Sequence, residues 1–230
     1  MINTVIITAG GSGNRLPGKI KKQFRLLNFR PILYHTIDKF INHPEITHII
    51  ITLPGDDFAS ITKTISHEFK DNRITFCKGG VERQESVLNA LKQVPANTDY
   101  VLIHDGVRPF ITKELISKLL SLAIEYGASI PISSVKNTIK QVDAGLVSKT
   151  IPRDNLYSVH TPQVFDYKKL LNLHLRASQE KITFTDDASI FEFYKEPVAT
   201  LVSEINNIKI TDSLDLEVAK LIMKGNEMEK

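Results

Sequence analysis

The chain opens with Val5-Ile6-Ile7-Thr8-Ala9-Gly10-Gly11-Ser12-Gly13-Asn14-Arg15, a short apolar run that passes into glycines and then into a cation. Lys19, Lys21 and Lys22 follow closely. This order predicts a buried strand that ends in a phosphate-binding loop, because glycines let backbone N–H groups approach an anion. A glycine turn flanked by ordinary solvated lysines would give the same pattern. The loop alone therefore leaves both interpretations open.

Two familiar phosphate-binding motifs fail in this stretch. Gly13-x-x-x-x-Gly18-Lys19 has Walker A spacing, but Ile20 stands where a Ser or Thr must hold magnesium. Gly11-x-Gly13-x-x-Leu16 lacks the third glycine of the dinucleotide fingerprint. A P-loop NTPase and a Rossmann dehydrogenase are therefore rejected as first interpretations.

The composition is that of an ordinary globular protein. The 230 residues are 42% hydrophobic and 24% charged, which suits a single domain over residues 1–230. The net charge is only +3 and the basic residues are mostly scattered, so we expect no nucleic-acid partner. One cysteine, Cys77, excludes an internal disulfide framework and fits a reducing compartment. No apolar run reaches the roughly 20 residues that span a bilayer and no secretory segment stands out, so we expect a cytoplasmic protein without membrane contact.

Apolar runs typical of buried strands alternate with segments of helical periodicity. After the first strand, the predicted strands are His48–Leu53, Ile74–Cys77 and Tyr100–His104. Each predicted strand is preceded or followed by a segment in which apolar residues recur at helical spacing. An example is the set Leu115, Ile116, Leu119 and Leu120. This alternation predicts an α/β fold with a three-layer, mostly parallel sheet.

Three polar segments directly follow predicted strands. They are Gly10–Arg15, Gly79–Arg83 and Asp105–Arg108. Ligands of such sheets bind beyond the carboxyl ends of the strands. We therefore expect the three segments to meet at one edge.

The segment from about 134 to 155 has a different pattern. Polar residues alternate along two short segments, Thr138–Gln141 and Leu146–Ile151, on either side of Asp143-Ala144-Gly145. This pattern predicts a β-hairpin. A hairpin with so little apolar surface is not stable alone. We expect it to project as an arm and pack against a second subunit, with a solvated hairpin on the same subunit as the alternative. Beyond it, Val198–Ser203 and Ile208–Ile210 are predicted to be late strands.

Several side chains are candidates for chemistry, and each has an ordinary structural alternative. Asp105 fits a ribose hydroxyl or a phosphate-held metal, or a turn cap. Arg108 is favoured as a structural partner of Asp105. Ser86 fits a sugar contact or a helix surface, and Lys209 fits a pocket or a strand edge. Arg153 has the planar fork that matches phosphate oxygens.

The sequence is rich in groups that complement phosphate and shows no evident acid–base pair. His104 follows an apolar strand and is expected to be packed rather than catalytic. No Ser/His/Asp order and no Cys/His zinc spacing is present. The phosphate-complementary groups instead favour chemistry between two phosphorylated partners, in which positioning and charge stabilisation dominate. These groups are the glycines together with Arg15, Lys22, Arg153 and Lys209.

Taken together, the motifs resemble the 2-C-methyl-D-erythritol 4-phosphate cytidylyltransferase family over nearly the whole chain. The ordered set is Ala9–Arg15, Lys22-Gln23, Gly79–Arg83, Ser86-Val87, His104–Pro109, Arg153–Leu156, Thr161–Gln163, Thr185–Ser189 and Asn207–Lys209. Ribitol-5-phosphate cytidylyltransferases are close relatives that share most of these motifs. The resemblance implies a Rossmann-like nucleotidyltransferase fold with a protruding β-hairpin arm.

The resemblance also implies a reaction, in which a polyol phosphate attacks the α-phosphorus of CTP, with Mg²⁺ or another divalent cation on the triphosphate, and pyrophosphate leaves. It implies catalytic roles for Arg15, Lys22, Arg153 and Lys209. It implies nucleotide binding by Ala9, Gly10, Gly11, Ser12, Gly13, Gly80, Val81, Ser86, Asp105 and Gly106. It implies acceptor binding by Thr138, Arg153, Thr185, Lys209 and Arg108. Asp105 would also meet the metal, which is held mainly by phosphates, and the arm would reach across a homodimer.

Three functions follow as hypotheses. The first is cytidylyl transfer to 2-C-methyl-D-erythritol 4-phosphate in non-mevalonate isoprenoid synthesis. The second keeps the chemistry and changes the acceptor to D-ribitol 5-phosphate. The third is a non-catalytic CTP-binding module, which has no need of a second anion site. Lys21 takes a place where the family usually has proline, so the sequence leaves open whether Lys21 shares the role of Lys22.

Overall fold

A computed structural model of the chain describes residues 1–11, 20–203 and 206–228, with side chains as far as residue 225. Three predicted site residues, Ser12, Gly13 and Arg15, lie outside this part. The strands within it are β1 (Asn3–Thr8), β2 (Leu26–Leu27), β3 (Arg30–Pro31), β4 (His48–Leu53), β5 (Ile74–Lys78), β6 (Tyr100–Asp105), β7 (Ala128–Ser134), β8 (Ile139–Asp143), β9 (Leu146–Ile151), β10 (Tyr157–Val159), β11 (Gln163–Asp166) and β12 (Ala199–Val202). The helices are α1 (Ile32–Ile41), α2 (Phe58–Phe69), α3 (Arg83–Leu91), α4 (Lys113–Tyr126), α5 (Tyr167–Glu180), α6 (Asp187–Phe193) and α7 (Ser213–Met228), with a short 3₁₀ helix at Lys22–Phe24.

The central sheet is mixed and mostly parallel. Its strands run in the order β10-β7-β11-β6-β1-β4-β5, and β12 pairs with β7. The strands β6, β1, β4 and β5 are parallel neighbours, whereas β11 is antiparallel to β6 and β7. The register sets Thr8 beside both Thr52 and Asp105, so the carboxyl ends of β1, β4 and β6 lie side by side. The predicted meeting of loops at one edge follows from this register.

Helices cover both faces of the sheet because successive strand residues point to opposite sides. Ile7 and Ile51 pack with apolar residues of α1, α2 and α4 on one face. Ile6 and Ile50 pack with those of α3, α5 and α6 on the other. The predicted three-layer α/β fold is confirmed.

The hairpin of β8 and β9 forms a two-stranded sheet of its own. Its turn is Ala144-Gly145, and both residues have positive φ, of 48° and 84°. Such φ values mark the two-residue turns whose twist matches that of a hairpin. The predicted hairpin is thus present, although its first strand begins one residue later and extends to Asp143.

One strand prediction was wrong. Residues 208–210 form no strand, although β12 at Ala199–Val202 matches the other late prediction. Ile210 N–H donates to Val107 O at 3.0 Å, and this contact ties the segment to the loop after β6. The segment is therefore held at the edge of the sheet by loop contacts and side chains instead of a ladder.

Candidate active site

A cavity of about 380 Å³ opens at the carboxyl edge of the sheet. It lies where the loops after β1, β5 and β6 meet, together with the 3₁₀ helix and residue 209. Its wall consists of Thr8, Ala9, Gly10, Gly11, Lys22, Gln23, Thr52, Gly80, Val81, Glu82, Arg83, Ser86, Asp105, Val107 and Lys209. Most of the nucleotide-binding residues predicted from the sequence therefore line one cavity.

The loop after β1 is fixed by backbone and side-chain hydrogen bonds. Ala9 N donates to Thr52 O at 3.0 Å, which continues the β1–β4 pairing by one residue. Gln23 Nε2 donates to Ala9 O at 2.7 Å and to Gly11 O at 3.2 Å. Gln23 belongs to the Lys22-Gln23 motif, but no spacing or residue pattern predicted a function for its side chain. Its side chain joins the glycine loop to the helix that carries Lys22.

Two glycines allow the loops after β1 and β5 to touch. A Cβ on Gly10 would lie 3.4 Å from the Cα of Gly79, and one on Gly79 would lie 3.2 Å from Ser86 Oγ. The latter is closer than most Cβ contacts in proteins. Larger residues would push these two walls of the cavity apart.

In the loop after β5, backbone N–H groups are hydrogen-bonded to side chains of α3. Gly80 N donates to Ser86 Oγ at 2.9 Å, and Ser86 Oγ donates to Glu82 O at 3.0 Å. Ser86 is buried, so it is no surface helix serine. Val81 is 94% exposed, and its N–H donates to Glu85 Oε2 at 2.7 Å. The Val81 side chain thus supplies no polar group, and any polar recognition at this position uses the main chain.

Asp105 is a buried carboxylate surrounded by cations. Its Oδ2 accepts from Arg108 Nε at 3.0 Å and lies 3.0 Å from Lys209 Nζ. Burial alone would raise the pKa of Asp105, but Lys209, Arg108 and Arg83 together lower it well below its usual range. Asp105 therefore stays ionised at any pH at which an enzyme works.

Lys209 is held towards the cavity by contacts of Asn207. Asn207 Nδ2 donates to Thr161 O at 2.9 Å, and Asn207 O accepts from Arg108 Nη1 at 2.9 Å. Arg108 is buried and does not line the cavity. It connects Asp105, His160 and Asn207 instead, in line with the ordering role that the sequence favoured.

His104 is fully buried next to this network. Its Nε2 lies 3.0 Å from Arg108 O, which can only accept, so the proton is on Nε2 and Nδ1 faces the Thr161 hydroxyl at 3.1 Å. The pKa of His104 is lowered to about 4, chiefly by burial, with Arg108 and Lys209 acting in the same direction. The ring is therefore a neutral structural element.

This histidine should make the fold acid-sensitive. The unfolded chain takes up a proton near pH 6.5, whereas folded His104 stays neutral down to about pH 4. We expect its contribution to the free energy of unfolding to fall by about 3 kcal/mol as the pH drops between these values. Urea unfolding at several pH values would measure this. The His104→Gln variant should lack that part of the slope, and an unchanged slope would contradict the assignment.

Arg83 is a cavity cation to which the sequence assigned no function. Its Nη2 lies 2.7 Å from Asp187 Oδ2 at the start of α6, and Asp187 Oδ1 faces His174 Nε2 at 3.0 Å. Burial would raise the pKa of Asp187, but chiefly Arg83 lowers it to about 2. Gln163 Oε1 accepts from Asp187 N at 3.1 Å, which fixes the helix start. Asp187 follows Arg83 by about one hundred residues, so no local motif revealed the pair.

Some predicted residues lie elsewhere in this protomer. Gly106 lies beneath the cavity, where a Cβ would be 3.1 Å from Ala9 Cβ and from Thr8 O. Thr138 and Arg153 are exposed at the base of the arm, and Arg153 donates to Lys136 O. Thr185 is exposed just before α6. None of the four lines the cavity.

The cavity offers cations and two carboxylates, the buried Asp105 and the exposed Glu82, rather than a cage for a metal. Within residues 1–11, 20–203 and 206–228, no three His, Cys, Asp or Glu side chains are grouped so as to hold a metal ion. In the same ranges, no helix has the length and apolarity needed to cross a membrane. The site is thus suited to a ligand with several negative charges. It could bind a metal cation only if that ligand supplied further oxygen atoms.

Comparison with known proteins identifies the family. Residues 3–225 match the family model described as IspD, 2-C-methyl-D-erythritol 4-phosphate cytidylyltransferase. The protein of that name from Clostridium acetobutylicum is 38% identical, over 99% of this chain and 100% of its own. A bifunctional enzyme IspD/IspF from Bartonella tribocorum is 40% identical over 95% of this chain, which spans 56% of that longer protein.

Solved structures agree with this result. The 4-diphosphocytidyl-2C-methyl-D-erythritol synthase of Anaerococcus prevotii superposes with a TM-score of 0.85 at 32% identity, over 97% of this chain and 98% of that one. The Francisella tularensis 2-C-methyl-D-erythritol 4-phosphate cytidylyltransferase gives 0.81 at 30% identity, over 96% and 99%. The chain therefore belongs to the 2-C-methyl-D-erythritol 4-phosphate cytidylyltransferase family and is a nucleotidyltransferase that carries out the family's cytidylyl transfer in isoprenoid biosynthesis.

Proposed function

We propose that the cavity holds CTP and 2-C-methyl-D-erythritol 4-phosphate together while the cytidylyl group is transferred. An anionic oxygen of the acceptor phosphate attacks the α-phosphorus in line. The bond from that phosphorus to the bridging oxygen of the β-phosphate breaks, and pyrophosphate leaves with the electron pair. The observation that carries this proposal is the convergence of Lys22, Arg83 and Lys209 with glycine loops in one cavity. Since the nucleophile is already anionic, no general base is needed.

The nucleotide would lie along the carboxyl ends of β1, β5 and β6. Ala9, Gly80, Val81 and Ser86 would line cytosine and ribose, mainly through backbone groups. Gly10 and Gly11 would face the triphosphate, with Ser12, Gly13 and Arg15 of the following segment. Lys22 would stabilise charge that grows on the α-phosphate in the transition state, which is worth most where water is excluded.

The residues of the cavity fit a magnesium ion that the nucleotide brings with it. Mg²⁺ in such sites is bound by one or two carboxylates together with substrate phosphates. Asp105 is the one acidic side chain buried in the cavity wall, and it stays ionised. It would be the protein ligand, and the metal would supply charge neutralisation on the triphosphate. Asp105 would also face the ribose.

The acceptor would be held partly by a second copy of the chain. Lys209 lines the cavity of its own protomer, whereas Thr138 and Arg153 are displayed at the base of the arm. The arm exposes Val142, Leu146 and Val147, which a lone hairpin of one domain would leave in water. We propose that residues 1–230 form one catalytic domain and that the arm, about 134–155, reaches a partner's cavity in a homodimer. Thr185 would complete the acceptor site.

Mixed dimers test the crossing of the arm. The Lys22→Ala and Arg153→Ala homodimers should both be nearly inactive. A randomly reassociated mixture should regain roughly one quarter of the parental activity, because half the dimers are mixed and one of their two sites is intact. Pyrophosphate release measures this. A mixture that stays as inactive as its components would mean that Arg153 acts within its own protomer, and an Arg153→Ala homodimer that keeps its activity would mean that Arg153 has no role in the reaction.

The acceptor is tested by one assay with two alcohols. Pyrophosphate release from CTP and Mg²⁺ is followed with 2-C-methyl-D-erythritol 4-phosphate and with D-ribitol 5-phosphate. The proposal expects kcat/KM to be higher for the first by at least about 100-fold, since a site built for one polyol leaves polar groups unpaired with another. Faster turnover of ribitol 5-phosphate, or CTP binding without pyrophosphate, would contradict the proposal.

The buried thiol of Cys77 is consistent with the reducing cytoplasm as the place of the reaction.

A further inference from the structure

Gln23 is the most buried polar side chain in the cavity wall after Thr52, being only 2% exposed. Both protons of its amide are used, one on Ala9 O at 2.7 Å and one on Gly11 O at 3.2 Å. These two carbonyls can only accept, so they fix which end of the amide faces them. Within the described part of the chain, the amide oxygen, Oε1, is buried and accepts no hydrogen bond. The two carbonyls of the glycine loop therefore set the orientation of the side chain.

The amide bridges two parts of the chain that enclose residues 12–19. Ala9 and Gly11 lie before that segment, and the 3₁₀ helix Lys22–Phe24 lies after it. One side chain thus connects the residues before and after the stretch that is proposed above to face the triphosphate. Because Gln23 directly follows Lys22, the same contact also sets the place of that lysine relative to the glycines.

The contact has a consequence for the backbone N–H groups. In a trans peptide the C=O and the next N–H point in opposite directions. Since Ala9 O faces Gln23, the N–H of Gly10 points away from Gln23. Neither Gly10 N nor Gly11 N has an acceptor among the described residues. Backbone N–H groups of this kind are the ones that bind anions in glycine loops.

We propose that Gln23 is a positioning residue for cytidylyl transfer. It orients the Gly10–Gly11 backbone and holds Lys22 beside it, so that one amide aligns the two kinds of donor that meet the triphosphate. This inference rests on the proposed function and assigns a role to a side chain that need not touch either substrate.

Two substitutions and a matched control test it. Gln23→Met keeps the size of the side chain and removes both donors. The expected result is a fall in kcat/KM for CTP of about 30-fold, because two hydrogen bonds that align the loop are lost. The KM for the acceptor should change less than about twofold. Gln93→Met makes the same change at an amide whose Nε2 contacts Cys77 Sγ at 3.1 Å outside the cavity, and it should leave kcat/KM unchanged.

Gln23→Glu adds a readout that a purely structural residue would not move. An ionised carboxylate cannot donate to Ala9 O or Gly11 O, whereas a protonated one donates a single hydrogen bond. The activity of this variant relative to the parent should therefore rise as the pH is lowered. The same ratio for Gln23→Met should stay flat.

The outcomes separate this inference from the proposed function. If the parent releases pyrophosphate and Gln23→Met retains kcat/KM within twofold, the positioning role is wrong and the function stands. It is equally wrong if Gln23→Met and Gln93→Met lose activity together with a common drop in Tm. If the parent releases no pyrophosphate, the function fails. Calorimetric CTP affinity, about tenfold weaker for Gln23→Met, then still tests the alignment of the loop.

Discussion

Replacement of Lys22 by alanine is expected to lower kcat by about 100- to 1000-fold, the usual cost of removing one donor that stabilises transition-state charge. Lys22 lines the cavity beside the glycine loop. Its charge would be felt most strongly once CTP excludes water. The KM for CTP should rise much less than kcat falls, because the ground-state triphosphate keeps its other contacts. Steady-state pyrophosphate release, with Tm as a check on folding, measures both.

The neighbouring lysine is the natural control. Lys21 does not line the cavity, and its Nζ lies 4.0 Å from Asp56 Oδ2, which is on the exposed loop after β4. Lys21→Ala should therefore change kcat less than about fivefold, since an exposed ion pair is worth little. Equal losses in the two variants would contradict the assignment of the catalytic charge to Lys22 alone.

Asp105→Asn is the second substitution with a large expected effect. It preserves shape but removes the negative charge shared by Arg108 and Lys209, both within 3.0 Å of Oδ2. The protein ligand proposed for magnesium is lost at the same time. We expect kcat/KM for CTP to fall by at least about 100-fold, because breaking a buried charge network costs several kcal/mol.

The opposite end of the same strand provides the control for Asp105. Asp99 precedes β6 at the amino edge of the sheet, where its carboxylate accepts from Ile2 N at 2.8 Å. Asp99→Asn should leave kcat/KM nearly unchanged. A variant at Asp105 that keeps its activity and its magnesium dependence would show that the carboxylate is only structural.

Most of the fold could be predicted from the sequence because its strands and helices have local patterns of apolar residues. The apolar run Ile49-Ile50-Ile51 is buried on both faces, and such runs are typical of parallel strands between helices. Once strand order is parallel, loops that follow strands must share an edge. That single rule predicts Gly10, Gly80 and Asp105 at one edge, and all three line the cavity.

The contacts that orient the site could not be predicted in this way. Arg83 and Asp187 are about one hundred residues apart, and Gln23 contacts Ala9, which precedes it by fourteen residues. Neither pair has a periodicity or a spacing that marks it. The choice between Lys21 and Lys22 likewise depends on the turn of a short 3₁₀ helix.

The strand assigned to 208–210 failed for a related reason. Alternating Ile208, Lys209 and Ile210 fit a strand pattern, but a strand also needs a neighbour with free ladder groups. Here Ile210 N bonds the loop at Val107, and Asn207 bonds Thr161. Tertiary contacts thus hold Lys209 near Asp105 without any sheet pairing.

A crystal structure of the protein with CTP and Mg²⁺ tests the central claim most directly. The account expects cytosine against Gly80, Val81 and Ser86, the ribose near Asp105, and the α-phosphate within hydrogen-bonding distance of Lys22 Nζ. A nucleotide bound elsewhere, or one with its α-phosphate beyond the reach of Lys22, would contradict it.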